Sequence, residues 1–238
     1  MSRPAPRRRG MTPRSWLPIA LSLLASSAFA AEPAAPGRAK DCAEAVALRV
    51  QHHYDAVRDL RARFVQTTQQ VALGSSGGGV LESRGEVVFA KPGRMRWSYE
   101  SPAPSLVVSD GQTLWIYDPE AREVQQLPLG PGFLSGAALQ FLLGEGKLLE
   151  DFSVAAQGCG GPEVRLVLTP RRDSQYEHLE LRADPKSGAV RETVVVDLLG
   201  NRTTIALSEL RSNASPDSAL FRFVPPEGTR VLSVPPAP

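Results

Sequence analysis

The side chains best suited to metal or thiol chemistry are few: two cysteines, Cys42 and Cys159, and three histidines, His52, His53 and His178. Their spacing argues against a reactive centre. Adjacent His52 and His53 on a helix leave it in different directions and do not converge on one ion. His178 has no partner at the spacing of a metal site. The cysteines lie too far apart in sequence for a redox motif, and no motif places a histidine beside either of them. No catalytic residue, no resident metal and no cofactor is therefore expected. The cysteine pair leaves two readings open. One is a single disulfide, which an oxidising compartment permits, and the other is two isolated thiols. Sequence spacing cannot choose, because a bridge needs Cα atoms within about 7 Å.

The compartment is written at the N-terminus. Arg3, Arg7, Arg8, Arg9 and Arg14 precede an apolar segment from Trp16 to Ala25, followed by Ser26-Ser27-Ala28-Phe29-Ala30. A basic region, a short apolar core and small residues before a boundary make an export signal over residues 1–30, with cleavage after Ala30. The start is Met1 or Met11, since Arg14 alone still supplies a positive region. The apolar core is too short to span a bilayer. No cysteine stands at the cleavage point to carry a lipid anchor. The formal net charge of the whole chain, +2, comes from this leader, which holds five arginines and no acid. The mature part is acidic by three charges, with no basic face for nucleic acid. Its 208 residues suffice for one domain with a full core. The expected organisation is a disordered linker over 31–40, a domain over 41–231 and a Pro-rich tail over 232–238. A periplasmic, soluble monomer is expected.

The elements that must position any site are set by periodicity. Asp41 and Glu44 form a capping box. Val46, Val50, Tyr54, Val57, Leu60 and Phe64 then recur every three or four residues, which predicts one amphipathic helix of about 20 residues. From Arg63 the period becomes two. Short apolar runs such as Gly85-Glu-Val-Val-Phe89 and Met95-Arg-Trp-Ser-Tyr99 are broken every 8 to 12 residues by Pro, Gly, Asp or Asn. That pattern predicts about eleven antiparallel strands. Asp110-Gly111, set between two apolar runs, marks the sharpest hairpin. An apolar stretch from Pro128 to Gly146 interrupts the strands as one or two helical turns. Strands resume at about 148–157, and a final one is expected over Leu220–Val224, ended by Pro225-Pro226. A sheet this large must curl. In the strand over 112–117, both Leu114/Ile116 and Trp115/Tyr117 are apolar or aromatic, so both faces should be covered. The inside is either a packed core or a ligand cavity with helices closing its mouth.

Several segments together resemble the periplasmic outer-membrane lipoprotein carrier (LolA) family. They are Phe64-Val-Gln66, Gly85-Glu-Val-Val-Phe-Ala-Lys-Pro92, Met95-Arg-Trp97, Val108-Ser-Asp-Gly111, Leu114-Trp-Ile-Tyr-Asp-Pro119 and Phe221-Arg-Phe-Val-Pro-Pro-Glu-Gly228. The resemblance runs from about Ala45 to Val231. It implies a mainly β fold: an open, incomplete antiparallel β-barrel covered by an N-terminal helix and a short helical insertion. It implies non-covalent transport of acylated lipoproteins. An inner-membrane ABC-type releasing complex supplies them and an outer-membrane receptor accepts them. Lys91 falls where the family has a lid-gating arginine, and lysine lacks that planar fork of donors. Met95 falls at a lid or ligand contact. Trp97, Leu114, Ile116, Phe133, Leu139, Phe141 and Leu142 match the acyl-chain cavity or lid, the last four from the apolar insertion. Phe64 and Gln66 would fix the joint between first helix and first strand, and Gly85 a bend or close approach. Asp110 and Gly111 are structural. The family pattern does not require the cysteine pair. A periplasmic non-carrier binding or signalling module of the same fold is the alternative reading.

Overall fold

A computed structural model describes residues 36–71, 79–129 and 146–233. The first element is helix α1 (Pro36–Ala56). Pro36 suits a first turn, where its missing N–H costs nothing. Ala43, Val46, Ala47, Val50 and Tyr54 form its buried stripe. The helix begins upstream of Asp41, so that residue lies inside it and caps nothing. It also ends earlier than its periodicity suggested.

Strand β1 (Asp59–Gln69) comes directly after, and buried Leu60, Ala62 and Phe64 alternate along it. Next come β2 (Val80–Ala90), β3 (Arg94–Ser101), β4 (Ser105–Asp110), β5 (Thr113–Asp118) and β6 (Glu123–Pro128). A one-turn helix α2 (Leu148–Asp151) opens the second half. It leads into β7 (Phe152–Gln157), β8 (Val164–Pro170), β9 (Tyr176–Ala183), β10 (Val190–Asp197) and β11 (Arg202–Ser212). The strand expected from residue 148 thus starts at Phe152, because Leu148–Asp151 turn as helix. The last strand, β12, is Arg230–Ser233. The expected strand at Leu220–Val224 is instead a 3₁₀ turn, Ser218–Phe221, followed by extended chain.

All twelve strands form one sheet in the order β12-β6-β5-β4-β3-β2-β1-β11-β10-β9-β8-β7. Every pairing is antiparallel except β12 on β6, which is parallel. β12 and β7 stand at opposite edges of that order, so the sheet is open. Its central strand β1 pairs with β2 on one side and β11 on the other, joining two meanders.

One face of the sheet carries the main core. Leu60, Phe64, Val87, Phe89, Met95, Trp97 and Leu114 meet Leu166, Leu168, Leu179, Leu181 and the buried stripe of α1 in a single cluster. The other face is covered by the chain between β11 and β12. Phe221 seats on Val88 and Ala90, and Phe223 lies 6.3 Å from Trp115 and 5.5 Å from Tyr117 between ring centres. That explains the two-sided apolar pattern of β5. Pro225-Pro226 belongs to this strap and does not end a strand.

Candidate functional site

The sheet's inner face is lined by aromatic rings drawn from three neighbouring strands. Phe64 meets Trp97 edge-on at 4.8 Å and Tyr99 at 5.1 Å, and Phe89 meets Trp97 at 5.7 Å. Such edge contacts add about 0.5–1.5 kcal/mol each beyond burial. The Tyr99 hydroxyl donates to Gln66 Oε1 at 3.2 Å. Phe64 and Gln66 therefore stand in the middle of β1 within this layer. The helix–strand joint falls earlier, at Val57–Arg58. Gly85 pairs with Phe64 on one side and Tyr99 on the other, beside a register shift against β3. A Cβ there would sit 1.9 Å from the Ser98 carbonyl oxygen and 3.1 Å from the Phe64 ring. Only glycine lets the strands and that ring close together.

Attachments along its length hold α1 over this face. Near its start, Cys42 is disulfide-bonded to Cys159 in the β7–β8 turn, with Cα atoms 6.3 Å apart. Midway, Gly188 in the β9–β10 turn lies so close that a Cβ would stand 2.3 Å from the Arg49 carbonyl oxygen. The Arg49 guanidinium donates to Pro185 O at 2.9 Å. In the last turn, the Val190 N–H donates to the Tyr54 hydroxyl at 3.1 Å. Lys91 Nζ donates to the Tyr54 carbonyl oxygen. That carbonyl is one of the four a helix leaves without an intrahelical donor at its C-terminus. Lys91 thus ties the helix end to the β2–β3 turn.

Burial lowers the pKa of Lys91, and Asp55 opposes that shift. Behind Lys91 the turns are locked together. Buried Ser109 donates to Gly93 O at 2.9 Å and accepts from Gly111 N–H at 3.0 Å. Asp110 Oδ1 accepts the N–H groups of Gln112 and Thr113 at 2.8 Å each, which closes the β4–β5 hairpin.

Tyr54 is almost wholly buried, and burial pushes its pKa up to about 12. The unfolded phenol ionises near pH 10. Above pH 10 the unfolded state loses this proton first, so stability should fall as pH rises from about 10 to about 12, by about 2–3 kcal/mol in all. Tyr54→Phe should flatten that slope. Urea titrations between pH 8 and 12 read it directly, and an unchanged slope would remove Tyr54 as the cause.

The residues expected at the cavity divide into three groups. Met95, Trp97 and Leu114 are 5–6 % exposed and closed within the core cluster. Ile116 is 37 % exposed on the same face. Phe133, Leu139, Phe141 and Leu142 lie outside the described residues. A cleft of 680 Å³ opens between α1 and α2, lined by Leu48, Gln51 and Asp55 from one helix and Lys147–Asp151 from the other. Gln51 Oε1 accepts the Leu148 N–H there at 2.9 Å. Sequence reasoning missed Tyr54 as the partner of Lys91, because nothing local distinguishes it from the rest of the helix stripe.

The histidines carry no site. His53 packs against Tyr54 at 4.9 Å, and His178 sits 3.5 Å from Glu180 on the opposite face. Among the described residues no group of three His, Cys, Asp or Glu could hold a metal ion.

An open twelve-stranded sheet with an apolar, aromatic inner face and a helix pinned across it defines the class of fold. Comparison with known proteins names the family. Residues 55–224 match the model of the outer membrane lipoprotein carrier protein LolA, and the chain belongs to that family. A carrier protein from Azotobacter vinelandii is 32 % identical over 211 residues, 88 % of this chain and 96 % of that one. Another, from Alkalilimnicola ehrlichii, is 35 % identical over 187 residues, 76 % of this chain and 80 % of that one. The fold recurs in an uncharacterized conserved protein from Thermus thermophilus. That protein is 14 % identical with a TM-score of 0.50, over 80 % of this chain and 98 % of that chain.

Proposed function

We propose that this protein is a periplasmic carrier that shields the acyl chains of lipoproteins and delivers them from the inner to the outer membrane without covalent chemistry. Family membership across most of the chain supports the reading. The observation that carries it is the inner face itself. Trp97, Phe89, Met95 and Leu114 form a broad apolar surface in the same cluster as the buried stripe of α1.

Hiding each acyl CH₂ from water is worth about 0.8 kcal/mol. A multiply acylated lipoprotein therefore cannot cross an aqueous space unescorted. An inner-membrane ABC-type complex would load the carrier and an outer-membrane receptor would unload it. Acyl chains would enter as α1 lifts from the inner face, where its buried stripe shares one cluster with Met95, Trp97 and Leu114. Lys91 would gate that movement, because its bond to Tyr54 favours the closed helix. Re-forming that contact would help expel the cargo at the receptor.

Native mass spectrometry of the protein purified after co-expression with a lipoprotein tests the carrier reading. A complex with an acylated partner is expected. Its repeated absence, with the protein folded and exported, would favour a non-carrier module of the same fold.

A further inference from the structure

At the C-terminal end of α1 lies a second cavity, of 380 Å³, whose lining includes Arg58, Asp59, Lys91, Arg94 and Ser215. Its cations have donors to spare. Lys91 Nζ spends one N–H on Tyr54 O. Arg94 donates once, to Lys91 O at 3.0 Å, and lies over the Phe221 ring. The Arg58 guanidinium has no hydrogen bond or ion pair among the described residues, and the residue is exposed.

The carboxylates around them are already engaged. Asp59 accepts the N–H groups of Ala214 and Ser215 at 2.7 and 3.2 Å. Asp55 accepts from Gln51 at 2.8 Å. Asp110, across the sheet from Arg94, accepts from two backbone amides.

We propose that this pocket is a docking site for a carboxylate presented by an acidic segment of a partner protein. Two guanidinium forks and an ammonium around a concavity suit one planar oxyanion. A lipid headgroup fits less well. Headgroup binding by a peripheral protein is accompanied by exposed apolar side chains that enter the acyl boundary. Here the largest group of exposed apolar side chains, Val71, Val80, Leu81, Leu198 and Leu199, stands at the far ends of β1, β2, β10 and β11, while Leu210 and Val224 are exposed singly elsewhere. The eleven residues of β1 separate the two ends by about 35 Å. A protein seated on a bilayer through those side chains would hold the pocket well away from it. A partner's side chain reaches the pocket without that constraint. The site extends the carrier reading, which supplies the reason for docking partners.

The test titrates the oxidised protein, free of cargo, with a tetraglutamate peptide while following arginine Nε–Hε signals by NMR. The Arg58 and Arg94 signals should shift saturably, inorganic phosphate should compete, and Arg58→Glu should weaken binding about tenfold or more, with Arg58→Lys weakened less because it keeps the charge and loses the fork. The Arg58 guanidinium makes no hydrogen bond or ion pair among the described residues, so unchanged thermal unfolding of both variants is expected. Equal affinity for Arg58→Glu, or an equal response to tetraglutamine, would overturn the proposal. So would phosphatidylglycerol vesicles shifting these signals when the peptide does not. Because no lipoprotein is present, this site can fail while lipoprotein capture succeeds.

Discussion

Lys91→Leu is expected to leave the protein folded and able to take up lipoprotein, and to slow its delivery to the receptor by about tenfold or more. The substitution keeps an apolar stem under α1 but removes every donor. The Tyr54 carbonyl at the helix end then keeps the Val57 N–H at 3.3 Å but not its lysine donor, and losing a hydrogen bond from a charged donor is worth about 1–3 kcal/mol. The closed arrangement loses that free energy while the cargo-bound arrangement loses none of it. The balance therefore moves toward retention, by about 5- to 150-fold in equilibrium constant. Lys91→Arg should restore delivery, since a guanidinium reaches the same carbonyl with more donors. A reconstituted transfer assay measures both variants. Delivery by Lys91→Leu at the wild-type rate would reduce Lys91 to a turn cation.

Removing the disulfide should have the largest effect on stability. Cys42 and Cys159 close a loop with a sequence separation of 117. Chain entropy assigns such a closure about 4–5 kcal/mol. Cys42→Ser with Cys159→Ser, or wild type under dithiothreitol, should unfold at clearly lower urea, with a slope as steep or steeper because the unlinked unfolded chain exposes more surface. The bridge also fixes the first half of α1 to the β7–β8 turn. With its first half released, α1 should admit apolar probes more readily, so a dye that brightens on burial should bind the reduced protein better. Equal denaturation midpoints in the two redox states would show that packing by Val46, Val50 and Tyr54 already holds the helix unaided.

The strands between Val80 and Leu127 were legible because alternation and turn chemistry agreed there. Asp110-Gly111 and Lys91-Pro92-Gly93 each punctuate two clean period-two runs. The end of α1 was not legible. Leu60 and Phe64 are four apart, a spacing that continues a helical stripe and equally keeps one face of a strand. Residues 148–151 lack any breaker before β7, so helix and strand merged in the sequence. Phe221 and Phe223 alternate like a strand, yet they bury their rings on Val88 and on Trp115 and Tyr117. The ladder β12 makes with β6 is a pairing between segments remote in sequence, which local pattern does not encode. At the site, the position of Lys91 was readable and its partner was not. Arg58 and Arg94 meet only because the α1–β1 joint and the β2–β3 turn lie at one end of the sheet.

The seam between β1 and β11 has a consequence for how this protein matures. β1 must pair with residues 202–212, near the other end of the chain. A polypeptide threaded across the inner membrane from its N-terminus meets that partner last. The β1–β6 ladder can assemble early from neighbouring hairpins, but its apolar face stays uncovered until the second meander has emerged and docked along the seam. Non-local pairing of this kind folds slowly and exposes intermediates to aggregation. The carrier would then itself be a client of periplasmic holding chaperones before it could escort anything else.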